Sequence, residues 1–308
     1  MPFLLKSKKT KFILSGVFLI LVSFSLYIYL SAVIKKEVET KKQKAAWAAL
    51  AADIQDSASN FSGECGLAIA DLENGWQIRI NEDKLFPSAS IVKIPIMAAC
   101  FLANDESKIN LENKIILKNR FKVLGSGKLK GLPEGSPVKI RDLIDMMIAE
   151  SDNTAANILI DLLGEDYLNT AFKRMGLSNT SIARKMMDFK SRRNGIENFI
   201  NVSDLSLLLE NIYRGKLLNK NVSRECLDIL KKQKLRDRIP AKLPPSTIIA
   251  HKTGLERSIC HDAGIVFTDQ GDFLICALIR HKNKTSKAAK DFIADIALKA
   301  YNYITENN

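Results

Sequence analysis

Apolar residues run from Phe12 to Ile34 without a single charge, a stretch of 23 residues. At about 1.5 Å per helical residue this spans a hydrocarbon core of about 30 Å. The pattern predicts a transmembrane anchor over residues 12–34, behind a basic cytoplasmic segment, 1–11, that holds Lys6, Lys8, Lys9 and Lys11. A cleaved signal peptide is the rival, but its apolar region is shorter and ends in a small-x-small site. Ser31-Ala32-Val33 is a poor version of that site, and no cysteine follows to carry a lipid. Lys35, Lys36, Lys41, Lys42 and Lys44 lie just beyond the run, so the positive-inside rule leaves the orientation to be set by function.

Past the anchor, Ala, Lys and Glu dominate residues 35–57, which read as a helical spacer. "CGLAIADLENGWQIRIN" shows two short apolar runs around Glu73-Asn74-Gly75, a hairpin with turn residues where they are needed. From Phe86 to about Gln233 the period becomes helical, in "VKIRDLIDMMIAES", "NTAANILIDLLG", "VSDLSLLLENIYRG" and "VSRECLDILKKQ". Strands return in "STIIAHKTG", "HDAGIVFTD" and "DFLICALIR", before an amphipathic helix near Lys287–Ile304. The economical architecture is of the α+β type. It has one antiparallel five-stranded sheet assembled from both ends of a domain spanning 58–308, with helices against it and an all-helical subdomain inserted over about 88–233.

Composition adds a globular class: 308 residues, 46% hydrophobic. The net charge of +12 invites a nucleic-acid reading, but residues 1–44 hold nine lysines against two glutamates, leaving about +5 for the rest. No Arg-rich block or aromatic-basic alternation supports a nucleic-acid partner. Cys65, Cys100, Cys226, Cys260 and Cys276 lack Cys-x-x-Cys spacing, and the histidines at 251, 261 and 281 are scattered. No metal set or cofactor is expected from them. Buried small hydrophobe is the default for each cysteine, with Cys65–Cys276 the one pair considered for a bridge because both fall in strands of the same sheet.

Chemistry enters at "FPSASIVKIPI". Ser90 and Lys93 are three apart, so on a helix starting near Ser90 the amine is within reach of the hydroxyl. A serine alcohol needs a nearby base, and a desolvated lysine can serve. A lone Ser-x-x-Lys is more often a helix cap beside a solvated lysine. Pro95, read as lying in the second turn, removes a donor and argues against a helix tuned only for stability. Ser88 is the next serine in line as nucleophile.

Two further clusters change the balance. Ser151-Asp152-Asn153 precedes "TAANILIDLL", and Lys252-Thr253-Gly254 ends the β-run "STIIAH". Each has a structural explanation, as a helix start and a strand exit. In that order and at these intervals, 61 and 101 residues, the three motifs resemble the signature set of class A β-lactamases and penicillin-binding proteins. The likeness extends over roughly residues 45–306, in "FPSASIVK", "AESDNTAANIL" and "AHKTG" and in the order of elements. The resemblance implies roles. Ser90 would be the acylated nucleophile, Lys93 its proton acceptor and Ser151 a relay to the leaving nitrogen. Asn153 would bind the substrate's side-chain amide, and Lys252 and Thr253 its carboxylate. The N–H groups of Ser90 and Leu255, which follows Gly254, would form the oxyanion hole.

One position departs from the family. Class A enzymes deacylate with a glutamate two residues after an arginine. Here "SIARKMMDFKSRRNGIENFINVSDL" puts Met186 two residues after Arg184. Asp188 and Glu197 are the carboxylates nearest in sequence that could replace it; otherwise each is a loop or helix-approach charge. The functions implied are a β-lactam hydrolase, a D,D-carboxypeptidase acting on cell-wall stem peptides, or a slowly deacylating sensor. All three imply an extracytoplasmic domain tethered to the membrane by the N-terminal helix. A Ser-His-Asp hydrolase fits less well, since no Gly-x-Ser-x-Gly elbow is present and His261-Asp262 reads as the end of a loop.

Overall fold

The computed structural model describes residues 3–307, with side chains throughout except those of residues 3–12, 14 and 17. The side chains of the basic segment 1–11 therefore lie outside the described residues. Helix α1 (Phe3–Asn60) is one unbroken helix of 58 residues, with no boundary between anchor and spacer. The chain divides into two compact units, residues 1–49 and, from Leu50 onward, the folded domain. In the first unit the side chains from Phe18 to Ile34 are exposed on every side, and the helix is long and apolar enough to cross a membrane.

The domain begins with a hairpin, β1 (Gly63–Asp71) and β2 (Gln77–Ile80). Its turn is organised by Asp71, whose carboxylate accepts the N–H groups of Glu73 and Asn74 at 3.0 and 2.8 Å, and is closed by Gly75 at φ 74°. There follow β3 (Phe86–Pro87), a 3-10 turn over Ala89–Val92, α2 (Lys93–Asp105), β4 (Lys114–Ile116) and β5 (Pro137–Lys139). The helical block continues with α3 (Ile140–Ala149), α4 (Asn153–Leu163), α5 (Glu165–Arg174) and α6 (Phe189–Arg193). After β6 (Phe199–Ile200) come α7 (Val202–Tyr213), α8 (Lys220–Leu230), β7 (Ile248–Glu256), β8 (Ile259–Phe267), β9 (Phe273–His281) and α9 (Lys287–Asn307).

The main sheet has five strands in the order β2-β1-β9-β8-β7, every neighbour antiparallel. The first strand pairs with the last along its whole length, from Gly63 opposite His281 to Asp71 opposite Phe273. Alternation sorts the side chains. Ala68, Ala70, Ile265, Leu274, Cys276 and Leu278 join the core shared with the helices, while Leu67, Ile69, Ile275 and Ile279, of opposite parity, are buried on the other face. A sheet covered on both sides reads as near-continuous apolar runs; β9 does so from Phe273 to Ile279, whereas His261 and Asp262 interrupt β8.

Several local readings change. The insert is not wholly helical, because β3–β6 and β4–β5 form two small sheets too short to show a period. Lys252-Thr253-Gly254 sits within β7, which continues to Glu256. His261 and Asp262 lie inside β8, wholly buried, rather than at a loop end. Pro95 is the third residue of α2, in the first turn, where N–H groups have no α-helical partner in any case. All five cysteines are buried and free, and the register places Cys65 opposite Ile279 and Cys276 opposite Ala68, three pairs apart, so the two do not bridge.

Candidate active site

The segment around Ser90 is held from three sides. Ser88 N–H donates to the Asn198 carbonyl at 2.8 Å, and Ala89 adopts a left-handed φ of 45°. His261, from β8, reaches the Pro87 carbonyl through Nε2 at 2.9 Å while its Nδ1 accepts the Ile279 N–H at 2.9 Å. Burial pushes His261 down to about 4, so the ring is neutral near pH 7 and Nε2–H is the donor to Pro87. Gly254 of β7 lies under the turn, where a Cβ would sit 3.1 Å from Ile91 Cγ1 and 3.4 Å from Ala89 Cβ. Ser90 is half-buried on the 3-10 turn, whereas Ser88 is wholly buried.

Lys93 opens α2, a helix buried from Lys93 to Ala103. Its Nζ donates to the Ser151 carbonyl at 2.6 Å, Ser151 Oγ at 3.2 Å and Asn153 Oδ1 at 2.8 Å. Complete burial, with the charge of Lys252 adding to it and Asp152 opposing, holds Lys93 well below the usual lysine range. Ser151, at φ 55°, stands just before α4. Asp152 caps that helix, accepting Ala155 N–H at 2.9 Å, and its other oxygen takes Leu129 N–H at 2.8 Å. The loop can approach so closely because of Gly127 at φ 100°, where a Cβ would fall 2.1 Å from the Asp152 carboxyl carbon.

From β7, Lys252 Nζ donates to the same Ser151 Oγ at 3.0 Å and to the Thr253 carbonyl at 2.7 Å. Burial lowers Lys252 to about 7, with Asp262 opposing and Arg238 adding to the fall. The Ser151 hydroxyl oxygen thus accepts from both lysines, which leaves its own O–H to be donated elsewhere. Lys93, Ser151, Asn153 and Lys252 are thus joined by hydrogen bonds where α2, α4 and β7 meet, Ser90 lies on the 3-10 turn that leads into Lys93, Thr253 follows Lys252 on β7, and Leu255, just past Gly254, is 48% exposed.

Sequence reasoning missed Arg238. It is 1% exposed, donates through Nε to Cys260 Sγ at 3.3 Å, and lies 3.2 Å from Asp237 through an Nη1 that makes no hydrogen bond. Its charge adds to the lowering of Lys252, although among the described residues it is hydrogen-bonded to none of the motif residues. "LRDRIP" carries no motif that could have marked it. His251 is paired with Asp262 at 2.8 Å, and Asp262 also accepts the Ile239 N–H at 3.1 Å, tying β7, β8 and the turn after Arg238 together.

Met186 is 6% exposed, between Arg184 and the left-handed Met187 at φ 66°. Asp188 caps α6, accepting Ser191 N–H at 3.0 Å and its hydroxyl at 2.7 Å, bonds that hold the carboxyl below its usual range. Glu197 accepts Arg184 Nε at 2.8 Å and its own neighbour's N–H, from Asn198, at 2.8 Å. Arg192 completes a network with Glu197 at 3.4 Å and Glu256 at 2.7 Å. Among the described residues neither carboxylate is hydrogen-bonded to Ser90, Lys93, Ser151 or Lys252.

Residues 49–304 match the model of the beta-lactamase enzyme family. The chain belongs to that family. It is 26% identical over 254 residues to beta-lactamase VEB-1 of Pseudomonas aeruginosa, covering 77% of this chain and 84% of that protein. Among solved structures, a beta-lactamase from Sphaerobacter thermophilus DSM 20745 superposes with a TM-score of 0.76 at 29% identity, over 84% of this chain and 98% of that one. PBP-A superposes equally well, TM-score 0.76 at 28% identity over 83% and 96%. A leucine-to-glutamate variant of PBP-A, solved as an acyl-enzyme with penicillin G, is 27% identical with the same TM-score over 84% and 97%. The family assignment makes this protein a penicillin-recognising serine enzyme of the β-lactamase type.

Proposed function

We propose that the protein opens the β-lactam ring by acylation of Ser90 and releases the acyl group slowly. The observation that carries the reading is the buried Lys93–Ser151–Lys252 triad of polar contacts. A desolvated Lys93 amine takes the Ser90 proton as Oγ attacks the lactam carbonyl. The Ser151 hydroxyl passes a proton to the departing ring nitrogen. Lys252, aided by Thr253 and the nearby Arg238 charge, holds the substrate carboxylate, and Asn153 meets the side-chain amide. The N–H groups of Ser90 and Leu255 receive the oxyanion, each such donor commonly contributing about 3 kcal/mol. Slow release follows from Met186, whose thioether cannot activate water, and from the engagement of Asp188 and Glu197 within their own loop.

A second reading is favoured by the same position: a D,D-carboxypeptidase that acylates Ser90 with cell-wall stem peptides. The likeness to PBP-A supports it. Release of terminal D-alanine from an acyl-D-Ala-D-Ala peptide, assayed beside a chromogenic cephalosporin, separates the two. A burst of one equivalent with the cephalosporin, then weak steady turnover, and no D-alanine release supports the first reading. Efficient D-alanine release sinks it. The apolar part of α1 supports an uncleaved anchor with the catalytic domain outside the cytoplasmic membrane, at the cell surface or in the periplasm. Protease added to intact cells should digest the domain, whereas a soluble form starting near residue 33 contradicts the anchor.

A further inference from the structure

Two loops beside the site are strongly basic. Residues 114–133 hold six lysines or arginines and no acid, and residues 181–197 hold five against Asp188 and Glu197. Together they carry +9, more than the roughly +5 of residues 45–308 as a whole, so the remainder of the domain is net acidic. The surplus charge is not spread evenly.

Both loops frame the mouth. The first meets the site at Gly125, where Asn153 Nδ2 donates to the Leu124 carbonyl at 3.4 Å and a Cβ on Gly125 would lie 2.6 Å from that nitrogen and 3.1 Å from the Met187 sulfur. Lys130 donates to the Gly125 carbonyl, which brings its ammonium to the same rim. The second loop runs from Met187, against Gly125, to Arg192, which pairs with Glu256 beside Leu255 on β7. Helix α6 therefore lies along the mouth and carries Lys190 and Arg193.

Part of this charge is neutralised locally: Lys128 by Glu150, Lys185 by Asp161, and Arg184 and Arg192 by Glu197 and Glu256. Lys122, Lys130, Lys190 and Arg193 form no ion pair with any carboxylate among the described residues. Unpaired like charges repel one another and add nothing to packing. They do focus a positive field on a cleft whose floor already holds Lys252. At about 10 Å in water, each cation changes the local concentration of a monovalent anion about twofold, and salt at 0.15 M limits the reach to about 8 Å.

We infer that this basic collar selects acyl donors bearing a second negative charge besides the carboxylate assigned to Lys252 and Thr253. The inference rests on the β-lactam reading above. It is tested with the full-length protein in non-ionic detergent and three penicillins differing only at the side-chain α-carbon: benzylpenicillin, its α-carboxy derivative and its α-amino derivative. The second-order rate of Ser90 acylation is measured for each at low and high salt. At low salt the α-carboxy compound should be favoured and the α-amino compound disfavoured, and high salt should compress that order. The combined variant Lys130→Gln, Lys190→Gln, Arg193→Gln should reduce the advantage of the α-carboxy compound about eightfold at low salt, three cations at about twofold each, while still acylating with all three. Rates whose order ignores both salt and substitution overturn the collar. Failure of the wild type to be acylated by any of the three removes the β-lactam reading and the inference with it.

Discussion

Asn157 holds both polar groups of the Met186 backbone, accepting its N–H at 2.7 Å and donating to its carbonyl at 3.0 Å. Asn157 lies one helical turn beyond Asn153 on α4, on the same face. Residue 186 is thereby fixed relative to the Lys93–Ser151 junction, although its side chain supplies no base. Met186→Glu places a carboxylate on a backbone already held in position. It should speed decay of the acyl-enzyme by about 10²- to 10⁴-fold, the usual contribution of a general base. Asp188→Asn should leave the decay unchanged. Its measurement is the lifetime of the penicillin adduct by mass spectrometry.

The Arg184–Glu197 pair is structural on this account. Arg184 is 3% and Glu197 11% exposed in the side chain, at 2.7 Å. Removing Glu197 leaves the buried Arg184 with the Glu256 carboxylate alone, at 3.4 Å, so Glu197→Gln should lower stability by about 1–3 kcal/mol, and Arg184→Met with Glu197→Leu, which keeps Arg192 paired with Glu256, should recover much of it. Denaturant unfolding of the three proteins reads the difference. A Glu197→Gln protein of unchanged stability whose adduct persists longer would instead make Glu197 the base.

The nearness of Lys93, Ser151, Asn153 and Lys252 was legible because motif spacing reports groups that the fold must bring together, and hydrogen bonds join these four. The sheet was legible because β1 and β9 carry apolar runs over residues 67–70 and 273–279, and β8 over 263–267. Arg238 was invisible, since burial of an arginine beside Lys252 depends on packing of the turn at Ile239 that no local pattern encodes. The fate of Glu197 was equally hidden: it turns on a partner, Arg184, whose distance across the loop sequence cannot supply. His261 looked like loop because a polar pair inside a buried strand contradicts strand patterning. Its partners, the Pro87 carbonyl and the Ile279 N–H, come from segments far away in the chain.

The lysines set the pH response. Lys252, lowered to about 7, is charged below that pH and neutral above it. Acylation by an anionic β-lactam should fall as pH rises through about 7, and the limb should lie at higher pH once substrate is bound, since the carboxylate favours the ammonium. Rate–pH profiles under second-order and saturating conditions check both. Stability runs the other way. Lys252 takes up a proton more readily when unfolded, where the value is about 10.4, so its contribution to stability should rise from about pH 7 toward that value, the penalty being complete below its folded value, and the lowered Lys93 acts in the same direction.

Gly254 supports the nucleophile turn from below. Gly254→Val would drive methyl groups into Ile91, Ala89 and His261 and displace Ser90. Acylation should slow by up to about 10²-fold, as expected for a misplacement near 1 Å, with far-ultraviolet circular dichroism unchanged.

On the proposed function, Ser90 is acylated and then released slowly for want of a base at residue 186. Intact-protein and peptide mass spectrometry, after mixing the full-length protein with benzylpenicillin and sampling from seconds to hours, tests it most directly. One penicilloyl adduct per chain is expected, on the peptide containing Ser90, forming early and decaying slowly, and absent from Ser90→Ala. An adduct on another residue, no adduct with rapid hydrolysis unaffected by Ser90→Ala, or an adduct that disappears as fast as it forms would contradict it.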